Sequence, residues 1–223
     1  MNRKSRLIVS VVTADIIKSR HYSPNLRKRV DSVIKRAFAD LARKYPEAIH
    51  TRLAFRITVG DEFQCVFRDV PHSFDLLTYL RASVALSGVE PLIYFRAAIG
   101  VGGISISGKK NPYEEDGEAF ARARHGLEQL KKRKRSTTLI TEKPEIDRVA
   151  DLILSFTDRL QKNWTLPQWE AVRWSLLGLK REEISQKLNV AHQNVTKRLR
   201  AAGWQEFKQA SQFLREVLEK QKS

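Results

Sequence analysis

Cysteine is almost missing from this sequence. Cys65 is the one thiol in 223 residues, which excludes an internal disulfide and any cysteine-rich zinc site and fits a reducing, cytoplasmic setting. Long apolar runs are missing too: residues 7–14 have the length of a strand, nothing approaches a membrane-spanning helix, and no membrane partner is expected. The start, "MNRKSRLIVSVVTADII", turns from basic to apolar as a signal peptide does, but it lacks a small-residue cleavage site and runs directly into charged residues. It reads as the first strand. His21, His50, His72, His125 and His192 show no metal-ligand spacing, so neither zinc nor a nucleophilic triad is assigned. Repeats and low-complexity tracts are also lacking.

Acids are scarce. Lys and Arg number 41 against 25 Asp and Glu, a net charge of +16. The excess is spread along the chain, with +7 over residues 1–130, +4 over 131–163 and +5 over 164–223, so no single tail supplies it. Polyanions such as nucleic acid or nucleoside phosphates are therefore expected partners.

What is present is a soluble, globular pattern of alternating elements. Residues 7–14 are almost continuously apolar, as in a central strand covered on both faces. From Ser23 the spacing becomes helical, with Val30, Ile34, Phe38 and Leu41 on one stripe. Strands are predicted over 52–59 and 62–67, with Phe63, Cys65 and Phe67 alternating onto one buried face. Helix 74–86, strand 93–101, helix 117–130 and a short strand 137–141 follow. The order β-α-β-β-α-β predicts a ferredoxin-like sheet with helices on one face. "KKRKR" at 131–135 reads as the solvated basic end of the third helix. "GVGG" at 100–103 is read either as a phosphate approach or, preferably, as a glycine bend at a strand end.

Two acids give this sheet a chemistry. Asp15 ends the first strand and Asp61 opens the hairpin of "ITVGDEFQCVF", and in this topology those places are neighbours at one end of the sheet. Facing carboxylates there suit Mg²⁺ or Mn²⁺ held against a triphosphate, with Glu62 as a spare ligand. Lys18, Arg20 and Gly60 are candidate nucleotide contacts, although a solvated turn accounts for "KSR" at 18–20 equally well. Taken singly, Asp15 also reads as a strand-end cap and Asp61 as a turn acid.

The segments "ADII", "TVGDEFQCVF", "FRAAIGVGGI" and "DGEAFARARHGLE" resemble, in order, the metal-binding strands, fourth strand and following helix of class III nucleotidyl cyclases, and "GDEF" resembles the diguanylate cyclase hairpin. As a set they look closest to the SatD family. The resemblance implies Asp15 and Asp61 as metal ligands, the carbonyl of Ile16 as a third, and Arg124 as the arginine that stabilises the transition state. Three positions depart from the cyclase pattern: Ile57 stands for the base-reading lysine, Phe120 for the asparagine and Val59 for the first hairpin glycine.

Beyond residue 144 the pattern is all-helical, so three parts are expected: a nucleotidyl-cyclase-like domain over 1–142, a linker helix over 143–162 and an all-α helix-turn-helix domain over 163–223, α+β overall. "EEISQKLNVAHQNVTKRL" resembles region 4 of sigma factors and the LuxR-like class. The helix beginning near Ala191 then offers His192, Gln193, Asn194 and Thr196 to base edges and Lys197, Arg198 and Arg200 to phosphates. A basic three-helix bundle for protein contact is the plainer reading. Three functions stay open: a DNA-binding regulator with a metal–nucleotide sensor, a nucleotidyl cyclase or transferase, and a palm kept as a dimerisation scaffold. A homodimer would fit the first and third.

Overall fold

The apolar alternation closes into a sheet around its first strand. The computed structural model describes residues 7–50, 55–57, 61–105 and 116–220. Strands β1 (Leu7–Ile16), β2 (Phe55–Ile57), β3 (Glu62–Phe67), β4 (Phe95–Ser105), β5 (Asp116–Gly117) and β6 (Thr137–Ile140) form one six-stranded sheet. Its order is β2-β3-β1-β4-β5, with β6 parallel to β4 and the other pairings antiparallel. Gly60, Thr58 and Val59 lie outside the described residues.

Helices cover both faces, which corrects the expected one-sided layer. Helices α1 (Pro24–Lys44) and α2 (Ser73–Ala85) bury Val30, Ile34 and Leu77 in a cluster with Val12, Ala14, Phe63 and Cys65. Helix α3 (Glu118–Arg133) sits on the opposite face, where Ala119, Phe120 and Ala123 meet Val9, Val11 and Val66. A strand flanked on both faces must be apolar at odd and even positions alike, which explains the near-continuous run in β1.

The glycines of "GVGG" seat α3, and they lie inside β4, away from its ends. A Cβ on Gly100 would stand 2.3 Å from the carbonyl oxygen of Ala119 and 2.3 Å from the nitrogen of Ala123. Gly126 answers from the helix, where a Cβ would come within 2.9 Å of the Ala98 methyl. Helix and strand touch backbone to backbone, and both earlier readings of the motif give way to this one.

Helices α4 (Pro144–Lys162), α5 (Leu166–Leu176), α6 (Arg181–Leu188), α7 (His192–Ala201) and α8 (Trp204–Glu219) complete the chain. They join the α1–α2 layer through a shared apolar cluster containing Trp169, Val172, Ile184 and Phe207. Phe74 of α2 stacks on Phe207 at 5.2 Å between ring centres, and Asp75 accepts a hydrogen bond from Arg215 Nε at 2.7 Å. At the α6–α7 turn Asn189 takes a left-handed conformation, φ 50°, and Val190 packs inward. Lys180 cannot cap α6 with its side chain; the Glu183 carboxylate accepts its backbone N–H at 2.7 Å instead. No helix among the described residues is long and apolar enough to cross a membrane.

Candidate functional site

The register of β1 sets the site. Asp15 pairs with Glu62 on one side and with Arg96 on the other, so three charged residues stand abreast across the central strands. By the parity of β1, Asp15 lies on the α3 side with Val9 and Val11. The last turn of α3 overhangs it, and Lys131 Nζ donates to Glu62 Oε1 at 2.7 Å. Arg96 Nε lies 3.4 Å from Asp15 Oδ2.

Asp61 enters from the hairpin turn. Its carbonyl accepts the N–H of Ile16 at 3.1 Å, which locks the turn to the end of β1. Its carboxylate accepts a hydrogen bond from the hydroxyl of buried Ser19. Ser19 opens a single turn of 3₁₀-helix, Ser19–His21, reached through Lys18 at φ 63°. The result is a cleft of about 540 Å³ whose lining includes Asp15, Asp61, Glu62 and the carbonyl-bearing end of β1 at Ile16, with Lys18, Arg20, Arg96 and Lys131 as its cations.

Burial pushes the Asp15 carboxyl above its ordinary range and the neighbouring Asp61 charge pushes it further, with Lys131 and Arg96 acting in the opposite sense. Burial pulls the Lys131 ammonium down, but the Glu62 hydrogen bond and the charges of Glu62, Asp15 and Glu128 outweigh it and hold it above its usual value. Among the described residues no group of three or more His, Cys, Asp and Glu stands as a ready-made metal cage. The donor set that remains is two carboxylates and a backbone carbonyl. These hard oxygens suit Mg²⁺ or Mn²⁺ when water and phosphate supply the other positions. Asp15 and Asp61 both line the cleft, and their carboxylates are hard oxygen donors of the kind these ions take. Glu62, expected as a spare ligand, is instead drawn to Lys131.

The structure thus brings Asp15, Ile16, Lys18, Arg20, Asp61 and Glu62 to one cleft. Arg124 does not line it. That residue is exposed on α3, two turns before Lys131. Sequence reasoning missed Ser19, Arg96 and Lys131. Arg96 carried a signal, being a charge inside the otherwise apolar "LIYFRAAIG". Lys131 carried none, because one lysine of a basic run looks like its neighbours. Cys65 is fully buried, and burial pushes its thiol far up, as suits a core residue.

On α7, Val195 and Leu199 face inward while Gln193, Asn194, Lys197 and Arg200 are exposed. His192 and Thr196 are half-buried, and His192 Nε2 lies 3.2 Å from Glu182 Oε1. Arg198 is drawn sideways to Glu170 at 3.1 Å.

The model of the SatD family matches residues 9–217. None of the curated proteins matches the sequence. Among solved structures, a bacterial light-regulated adenylyl cyclase aligns at 12% identity, over 60% of this chain and 75% of its own, with a TM-score of 0.42. The adenylyl cyclase CyaB from P. aeruginosa aligns at 14% identity over 54% and 71%, TM-score 0.36. The active GGEEF domain of a diguanylate cyclase from Vibrio cholerae aligns at 16% identity over 61% and 83%, TM-score 0.35.

Proposed function

We propose, from the premise that the chain belongs to the SatD family, that it is a regulatory protein binding a nucleoside triphosphate with Mg²⁺ or Mn²⁺ at the end of β1, and that its helical tail binds DNA. The observation that carries this is the cleft itself: three carboxylates and four Lys or Arg side chains converge on one end of the sheet. A bare anion would meet the acids, and a bare metal ion would meet the cations. A metal–polyphosphate complex satisfies both sets.

Asp15, Asp61 and the Ile16 carbonyl would hold the ion. When bound, it would neutralise phosphate charge and polarise a phosphoryl oxygen. Lys18 and Arg20 would take phosphate oxygens, the Ser19 hydroxyl donates to the Asp61 carboxylate, and Lys131 donates to Glu62 beside them. Support for the tail's role is the composition of α7, whose outward residues are amides and cations over an apolar inner face. The division at 142 and 162 assigns the ligand to the sheet part and DNA to residues 163–223. A second reading, turnover of the nucleotide with pyrophosphate release, draws support from Lys131, a cation poised over the acids.

The test is a thermal-shift panel of the four common nucleoside triphosphates, with and without Mn²⁺, on wild type and Asp61→Ala. At a hundredfold excess over Kd, binding adds about 2.7 kcal/mol, a readily measured rise in Tm. The expected result is a shift that needs both nucleotide and metal and disappears in Asp61→Ala. Pyrophosphate released in the same tubes would move the protein to the enzyme reading. No shift from any nucleotide on folded protein would move the weight to the helical tail and leave the sheet part as a scaffold.

A further inference from the structure

A second cavity opens beside the acid cleft. It holds about 500 Å³ and lies where the end of β1, the start of β4, α2, α4 and α5 meet. Ile17, Ala85, Pro91 and Ile93 make its walls apolar, and Tyr22, Tyr94 and Trp169 add flat rings. Lys18 lines both this cavity and the acid cleft, so the two adjoin.

The polar end is built from buried groups. Arg81, only 8% exposed, donates to Thr137 Oγ1 at 2.8 Å, Ser136 O at 2.9 Å and Gln161 Oε1 at 3.0 Å. Asp158 accepts from the backbone N–H of Thr137 at 2.8 Å and of Ser136 at 3.2 Å, which fixes the strand beneath. A guanidinium has donors only, so the Gln161 amide must turn its oxygen to Arg81. Its Nε2 is thereby presented away from Arg81. Gln161 is 5% exposed, and Nε2 is shielded from solvent with no hydrogen-bond partner among the described residues. Gln161 lines the cavity, so its polar end carries unspent hydrogen-bonding capacity in a space of ligand size.

The nearby cations set the rest of the ligand. Lys18 and Lys162 line the cavity, so the ligand combines a flat, largely apolar body, an acceptor atom on its edge and an anionic group directed toward Lys18. We propose that this cavity is the base-binding pocket for the nucleotide whose phosphates occupy the acid cleft, with the Gln161 amide donating to an oxygen or ring nitrogen of the base. The inference rests on the proposed metal–phosphate reading and adds to it the recognition of the base, at a place no sequence motif marked. It also gives the tail a stake in the ligand, since α4 and α5 contribute Gln161 and Trp169.

The test is equilibrium titration of the full chain with the four nucleoside triphosphates, their nucleosides and inorganic triphosphate, each with Mn²⁺. Wild type is compared with Gln161→Leu and with Ala85→Phe, which fills the cavity from its wall and removes no member of the Arg81 network should Gln161→Leu fail to fold. The preferred nucleoside triphosphate should bind at least tenfold more weakly to folded Ala85→Phe, while inorganic triphosphate stays within twofold of wild type. Unchanged nucleotide affinity in Ala85→Phe, with triphosphate still binding, overturns the pocket and spares the acid cleft. A nucleoside that binds wild type and is lost in Ala85→Phe, without any triphosphate binding, keeps the pocket and overturns the metal–phosphate reading. Failure of every nucleoside and nucleotide to bind folded wild type overturns both.

Discussion

Asp40 accepts hydrogen bonds from Tyr79 at 2.6 Å, from Arg43 at 2.7 Å and from Arg173 at 2.7 Å. Burial alone would raise its carboxyl, but these donors outweigh burial and hold it at about 2, below the usual carboxylate range. The folded-state value lies below the unfolded one, so the stabilisation is fully present above the unfolded value near pH 4 and is lost as pH falls toward 2. Urea unfolding across pH 2 to 7 should therefore show Asp40→Asn costing about 2 kcal/mol at neutral pH, with the gap to wild type closing in acid. A gap that does not change with pH would remove Asp40 as the acid-sensitive link. Arg43 is a neighbour on α1, but Tyr79 and Arg173 lie far off in sequence, and only the folded chain brings the α5 arginine to an α1 aspartate. Asp15 and Asp61 were legible because each sits at a strand end. Ser19 was not, because its role depends on a turn geometry that the sequence does not display.

Elements were largely legible because their signals are local. Ser23 followed by Pro24 announces α1, and the Ser23 hydroxyl accepts the Leu26 N–H at 3.3 Å as an N-cap should. Strand β3 falls where alternation placed it. The face chosen by α3 did not come from pattern alone, since an amphipathic helix fits either side of a sheet. The strand glycines decided it. Gly100→Ala would push a methyl to 2.3 Å from two backbone atoms of α3, where no side chain can move aside, and should cost about 3 kcal/mol or more. Chemical denaturation reads this directly. A loss under about 1 kcal/mol would mean that α3 shifts freely and that the close seat is unimportant.

At the scale of the molecule the tail is wired into the sheet part as well as appended to it. Tyr45 OH reaches the Leu176 carbonyl at 3.1 Å, and Trp164 Nε1 ties the start of α5 to the Ala202 carbonyl at 2.7 Å. Ligand bound against α4 and α5 would thus bear on α7, as the proposed regulation requires. DNA binding by α7 should weaken steeply with salt. Replacing Lys197 and Arg200 together by Ala should lower affinity on all sequences and reduce the salt slope by about two counterions. Titration of duplex DNA at several salt concentrations checks this, with and without Mn²⁺ and nucleotide. Salt-independent binding, or none, would set DNA aside and leave the basic helices as a protein-contact surface.

The sequence by itself determined the elements, the two-sided burial of β1 and the acids at the ends of β1 and the hairpin, because strand and helix periodicities and turn residues act over a few positions. Tertiary structure alone decided which face α3 covers, that Glu62 goes to Lys131, and that the Gln161 amide gives its oxygen to Arg81 and leaves its nitrogen without a partner among the described residues. The last two outcomes depend on contacts between residues 69 and 80 positions apart, whose distance and direction are set by the packed chain as a whole.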